Sequence, residues 1–181
     1  MSGLEPAAFL DRDGTLIEDV GFPRDPELVR LVDGAATALR RLVAANLRLV
    51  VVSNQSGIGR GLITADEARL VHERFVSLLA GEGIVLDGSK YCPHPPEAGC
   101  DCRKPSPGML LEAAEDLRLD LGRSFMIGDK LSDVEAGRRA GCRTVLLGPG
   151  TTDEGSARGP DFDASGWSDA IQPILESVTA R

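Results

Sequence analysis

Apolar residues along this chain fall into two rhythms. Short apolar-rich runs at residues 6–10, 47–52, 124–127 and 143–147 have the length and composition of strands buried on both faces. Between them, apolar positions recur at helical spacing. Ala35, Ala38, Leu39, Leu42 and Val43 follow the i, i+3, i+4, i+7, i+8 pattern behind Asp33, which reads as an N-cap. Thr64 and Glu67 form a capping box that opens a second helix, and Gly81 and Gly83 close it. A short further strand is expected before Cys92. Ser106 and Pro107 predict a cap and a first-turn proline for a third helix carrying Leu110, Ala113, Ala114 and Leu117. Helices are also expected over 131–140 and 168–179. Gly14, Gly21, Pro23 and Pro26 make 14–32 a turn-rich flap, and the Gly, Asp and Ser content of 148–166 predicts an exposed loop.

Strands alternating with helices predict an α/β fold: a doubly wound parallel sheet with helices on both faces and right-handed crossovers. Ligands in such sheets bind beyond the carboxyl ends of the strands. The intervals between strands hold no room for a separate cap domain, so one domain over 1–181 is expected, with an open site. The net charge of −8 argues against a nucleic-acid partner. Residues 1–5 carry no basic, apolar leader, and no apolar run approaches the roughly 20 residues of a membrane span. A cytoplasmic monomer acting on a small molecule is the expectation.

Four strings carry the chemistry. Asp11-Arg12-Asp13-Gly14-Thr15 follows the first strand, Ser53-Asn54-Gln55 ends the second, Arg103-Lys104-Pro105 follows a cysteine-rich loop, and Gly128-Asp129-Lys130 with Asp133 follows the run at 124–127. They supply a carboxylate pair, a hydroxyl, a cation and a second acidic cluster, the equipment for gripping a phosphate and a hard metal ion together. Only three of the 20 basic residues are lysines, and Lys104 and Lys130 both fall in these strings. Asp133 reads equally well as an outer metal partner or as a first-turn helix charge.

A separate cluster, Cys92, His94, Cys100 and Cys102, fits the tetrahedral sulfur and nitrogen set of a structural zinc site within a loop over 92–104. Disulfides are the alternative, but three cysteines leave one unpaired. Zinc here would brace the segment carrying Lys104. Cys142 and His72 read as packed, non-functional residues.

These four strings and the cysteine loop resemble the haloacid dehalogenase superfamily of phosphatases, in its zinc-loop branch, over about residues 7–150. The resemblance implies a Rossmann-like core and an aspartyl-phosphate mechanism. Asp11 would be the nucleophile and Asp13 the acid and base, with Ser53 and Lys104 holding the phosphoryl oxygens. Mg²⁺ would be held by Asp11, Asp129 and the backbone carbonyl of Asp13. Substrate contacts would come from Asp19, Val20, Gly21, Phe22, Ser53, Asn54, Gln55, Ser56, Arg103, Lys104 and Lys130. Members of this branch act on a heptose bisphosphate or on histidinol phosphate. Arg103 and Lys130 are cations for a second phosphate, which favours the bisphosphate. A receiver-like domain that accepts phosphate without turnover is the non-enzymatic alternative.

Overall fold

The computed structural model describes residues 3–148 and 159–179. Six strands form one wholly parallel sheet: β1 (Ala7–Leu10), β2 (Arg48–Asn54), β3 (Gly88–Cys92), β4 (Phe125–Gly128), β5 (Arg143–Leu147) and β6 (Phe162–Ala164), in the order β3-β2-β1-β4-β5-β6. The helices are α1 (Ala35–Ala44), α2 (Ser56–Gly59), α3 (Ala65–Gly81), α4 (Gly108–Leu117), α5 (Leu131–Ala140) and α6 (Trp167–Thr179).

Side chains alternate across the sheet with period two, so each central strand feeds two cores. Ala8, Leu10, Leu49, Val51, Phe125 and Ile127 face one layer, filled by Leu39 and Leu42 of α1, Val71 and Phe75 of α3, and Trp167 and Ile171 of α6. Ala7, Phe9, Val50, Val52 and Met126 face the other, filled by Met109, Leu110 and Ala113 of α4 and Ala136 of α5. This is the predicted doubly wound architecture, and no cap domain stands among the described residues. None of the described helices is long and apolar enough to cross a membrane.

The strand order reverses between β1 and β4, which opens a crevice at their carboxyl ends. Asp11 follows β1 there and donates its N–H to the Ile127 carbonyl at 2.9 Å, locking the two strand ends together. Asp129 follows β4, Ser53 ends β2, and the chain beyond β3 carries Lys104.

Three local expectations need correction. The chain enters α1 through a left-handed turn at Gly34 (φ 77°), so the cap falls one residue after Asp33 and no side chain supplies it. Pro107, rather than Ser106, occupies the cap of α4, because Gly108 is held against the cysteine loop by its N–H bond to the Asp101 carbonyl at 3.2 Å. The exposed loop expected over 148–166 contains β6, whose register places Leu146 opposite Asp163; residues 149–158 of that loop lie outside the described set. The Thr64–Glu67 capping box is present as expected.

Candidate active site

Asp11, Asp129 and Asp133 bring carboxylate oxygens within 4.8 Å of one another at the switch point. Lys104 enters from the opposite side, fully buried. Its Nζ lies 2.7 Å from Asp11 Oδ1, 2.6 Å from Asp133 Oδ1 and 2.7 Å from the Val52 carbonyl. Burial alone would lower the Lys104 pKa, but the charges of Asp11 and Asp133 outweigh it and hold the ammonium above its ordinary value. Asp133 stands in the first turn of α5 and within the metal-fitting group, and it also holds Lys104. Its Oδ2 accepts the Lys130 N–H at 3.0 Å, which caps α5, while Oδ1 anchors Lys104. Glycine is required before it, since a Cβ at Gly128 would run into the Asp133 carboxyl.

The acidic cluster fits a hard cation. Asp129 Oδ1 is buried without a hydrogen-bond partner, and desolvation, reinforced by Asp11 and Asp133 against Lys130, raises the Asp129 pKa to about 6. A Cβ at Gly14 would collide with this carboxylate, so the glycine of the first motif lets the loop close over it. Oxygen ligands and a nearby phosphate-sized space are the setting Mg²⁺ favours. The Asp13 carboxylate stands outside this cluster, so its role as a ligand rests on its backbone carbonyl alone.

Asp13 instead faces Arg12, Gln55 and Ser53. Arg12 Nε and Nη2 each donate to one of its oxygens at 3.1 Å, and Gln55 Nε2 donates to Oδ2 at 2.8 Å. Ser53 Oγ lies 3.5 Å from the same oxygen and accepts from Gln55 at 3.0 Å. Asn54 is similarly committed: its side chain exchanges two 3.0 Å bonds with the backbone of Lys104. Asn54 and Gln55, expected to contact substrate, therefore bind the catalytic loops to one another.

A cavity of about 380 Å³ opens above these groups, lined by Asp13, Asp19, Gly21, Phe22, Asn54, Gln55, Ser56, Arg103, Lys104, Lys130 and Ser132. Asp11, Ser53 and Asp133 sit in a smaller recess at its floor. Of the predicted contacts Val20 alone is absent from both; its side chain points outward and is 53% exposed. Lys130 reaches across to Asp19 at 3.3 Å, tying flap to motif. Sequence reasoning missed Ser132 and the inward role of Arg12. The signal for Arg12 was its place between two aspartates that share a face, which turns it to the opposite side.

In the second cluster, Cys102 Sγ lies 3.3 Å from Cys92 Sγ and 3.4 Å from Cys100 Sγ, with Cys92 and Cys100 3.6 Å apart. His94 Nδ1 stands 3.2 Å from Cys102 and 3.6 Å from Cys92. All four cysteines of the chain are free, and Cys92, Cys100 and Cys102 group around His94 rather than pairing off. These separations approximate the edges of a small tetrahedron, which for metal–sulfur bonds of about 2.3 Å would measure roughly 3.8 Å. Burial holds the Cys92 thiol up at about 12; at Cys100 burial also raises the pKa, but bonds from Cys102 and the Arg103 backbone outweigh it and it falls to about 7. A bound cation would relieve this uneven sharing of charge. Cys142 is buried in the second core as expected, whereas His72 is only half-buried and meets the Tyr91 hydroxyl at 2.7 Å.

A family model described as HAD-hyrolase-like matches residues 101–175. The D-glycero-beta-D-manno-heptose-1,7-bisphosphate 7-phosphatase of Yersinia pestis is 41% identical over 97% of this chain and 96% of its own. This chain belongs to that phosphatase family. The enzyme of the same name from Pasteurella multocida is 43% identical over 80% of this chain and 82% of its own. Among solved structures, D,D-heptose 1,7-bisphosphate phosphatase from B. bronchiseptica, complexed with magnesium and phosphate, superimposes with a TM-score of 0.85 at 31% identity, covering 96% of this chain and 99% of that one. The chain is accordingly a phosphatase with a haloacid dehalogenase core, which removes the receiver alternative.

Proposed function

We propose that the chain, as one catalytic domain over 1–181, hydrolyses the 7-phosphate of D-glycero-D-manno-heptose 1,7-bisphosphate through an aspartyl-phosphate on Asp11. The relatives' names support the substrate. The observation that carries the reading is the convergence of Asp11, Asp129 and Lys104 beneath a cavity whose wall holds two further cations, Arg103 and Lys130. One phosphate fits the recess, and the other finds those cations.

Asp11 presents a carboxylate oxygen at the recess floor and attacks phosphorus, while Lys104 and the Ser53 hydroxyl stabilise charge on the transferring oxygens. Asp13 gives a proton to the departing alkoxide and then takes one from the water that cleaves the intermediate. Asp11, Asp129 and the Asp13 carbonyl would hold Mg²⁺, which would supply the charge neutralisation an anionic phosphate needs to approach a carboxylate. Cys92, His94, Cys100 and Cys102 would hold a structural Zn²⁺, which would fix the segment delivering Arg103 and Lys104. The flap at Asp19 to Phe22 contributes specificity. The same reading takes the enzyme as a cytoplasmic monomer that binds neither nucleic acid nor membrane.

A phosphate-release panel tests it, containing both heptose bisphosphate anomers, fructose bisphosphate and histidinol phosphate. A heptose bisphosphate should be turned over fastest, with phosphate lost from carbon 7. Comparable slow rates on every compound would overturn the substrate while leaving the phosphatase chemistry standing.

A further inference from the structure

We propose that Arg12 is a positioning residue: a buried guanidinium that holds the carboxylate of Asp13 where it transfers its proton. The inference rests on the acid–base role assigned to Asp13 above.

Along the first motif, Asp11 and Asp13 turn into the catalytic recess, and Arg12 turns away from it. It occupies the wall of an apolar pocket of about 250 Å³ behind the site, shared with Gln55, His72 and Tyr91. Only 2% of Arg12 is exposed, so its charge is retained inside the protein at a desolvation cost that a surface arginine would not meet. The same guanidinium spans both oxygens of Asp13 at 3.1 Å and donates to Gln55 Oε1 at 3.0 Å. Gln55 closes the triangle through its 2.8 Å bond to Asp13. Behind, the guanidinium carbon stands 5.7 Å from the centre of the Tyr91 ring, and the Tyr91 hydroxyl is held by His72 Nδ1 at 2.7 Å.

The planar fork therefore fixes the plane of the Asp13 carboxylate as well as its distance. A lysine ammonium, a point charge, cannot span both oxygens and bind Gln55 together. This matters for one group only. In the first half-reaction an Asp11 oxygen bonds to phosphorus, the bond from phosphorus to the sugar oxygen breaks, and the Asp13 proton goes to that oxygen. In the second, a water oxygen bonds to phosphorus and gives its proton to Asp13. The Asp11–phosphorus bond then breaks, releasing inorganic phosphate and restoring both carboxyl groups. Misplacing Asp13 slows the proton transfers and leaves the nucleophile and the phosphate grip intact.

Leaving-group chemistry separates this role from a merely structural one. Arg12→Lys should lower kcat on an alkyl phosphomonoester, such as a sugar phosphate, by about 100-fold, with KM changed little. With 4-nitrophenyl phosphate the departing phenolate needs no proton, so the first turnover should stay near the wild-type rate. A burst of one nitrophenolate per enzyme should follow, and then slow steady-state release. Gln55→Leu, which removes the bonds to Asp13, Ser53 and Arg12 but keeps the Arg12–Asp13 pair, should show the same burst with a loss of about 10-fold on the alkyl ester, and decides the matter if Arg12→Lys does not fold. Equal losses on both substrates with no burst, or a rise in KM tracking a fall in Tm, would overturn the positioning role. Absence of turnover by the unaltered enzyme on any phosphomonoester would instead sink the acid–base reading beneath it.

Discussion

Two metal-fitting clusters lie close together in this chain and are built in opposite ways. The carboxylates of Asp11 and Asp129 hang from the ends of β1 and β4, held by the sheet before any cation arrives. Cys92 alone of the other set is anchored in a strand; His94, Cys100 and Cys102 sit on a proline-rich loop with a single 3-10 turn between them. A cluster carried by a sheet keeps its shape without an ion and has ligand positions to spare for substrate. A loop cluster of four closed ligands draws its order from the ion. Replacing a metal-fitting carboxylate of the first should therefore cost activity far more than stability, and emptying the second should cost both together.

The largest expected effect breaks the comparison at its catalytic end. Asp11→Asn keeps the shape and a hydrogen-bond acceptor for Lys104 but removes the nucleophile. Turnover should vanish in a phosphate-release assay while far-UV circular dichroism stays unchanged. Turnover near the wild-type level would place the covalent step elsewhere. Next in size is Lys104→Met, which leaves Asp11 and Asp133 facing each other in a buried space. Loss of a buried ion partner costs about 3–5 kcal/mol, read as a lower urea midpoint, and Mg²⁺ should restore part of it. No restoration would mean that the acidic cluster does not gather the ion.

Removing the metal from the loop cluster should act on both readouts. Chelated protein shown to have lost its zinc should melt on the order of 10 °C lower and lose activity in proportion, since Lys104 lies two residues beyond Cys102. Zinc-free protein that stays fully active and ordered would reduce the loop to an ornament and erase the contrast.

The sheet and the motifs were legible because their signals are local. An apolar run followed at once by Asp11 or Asp129 announces a strand end and its cargo, and Thr64 with Glu67 announces a helix start. Pairings set by the fold were not legible. Nothing in the string indicates that Lys104 meets Asp133, or that Asn54 spends its amide on the Lys104 backbone, because those contacts depend on how separate loops converge. Asp33 failed as a cap because the left-handed turn at Gly34 displaced it. β6 was missed because three residues, one of them an aspartate, carry no usable period. Asn54 and Gln55 line the cavity as expected, but their bonds to Lys104, Asp13 and Ser53 were not legible, since a polar side chain at a site edge can also turn to its neighbours.

The smallest effect sharpens the comparison at the strut between the two clusters. Tyr91, one residue before Cys92 of the loop cluster, rests on His72 of α3 and against Arg12 of the catalytic loop. Burial, helped by the Arg12 charge against the opposing pull of Glu73, lowers the His72 pKa from its ordinary 6.5. A depressed histidine contributes stability that is complete above the unfolded value and is lost as pH falls through the folded one. Stability should therefore decline on going from about pH 7.5 to 5.5. Cys100, held at about 7, also takes up a proton in this range, so wild type alone does not isolate the histidine. His72→Gln keeps an oxygen for the Tyr91 hydroxyl and cannot titrate. The fall in urea midpoint over that interval should be measurably smaller in the variant, with the Cys100 contribution common to both. Identical falls would show that His72 packs against the strut without its charge mattering, and that the pH sensitivity belongs to the loop cluster.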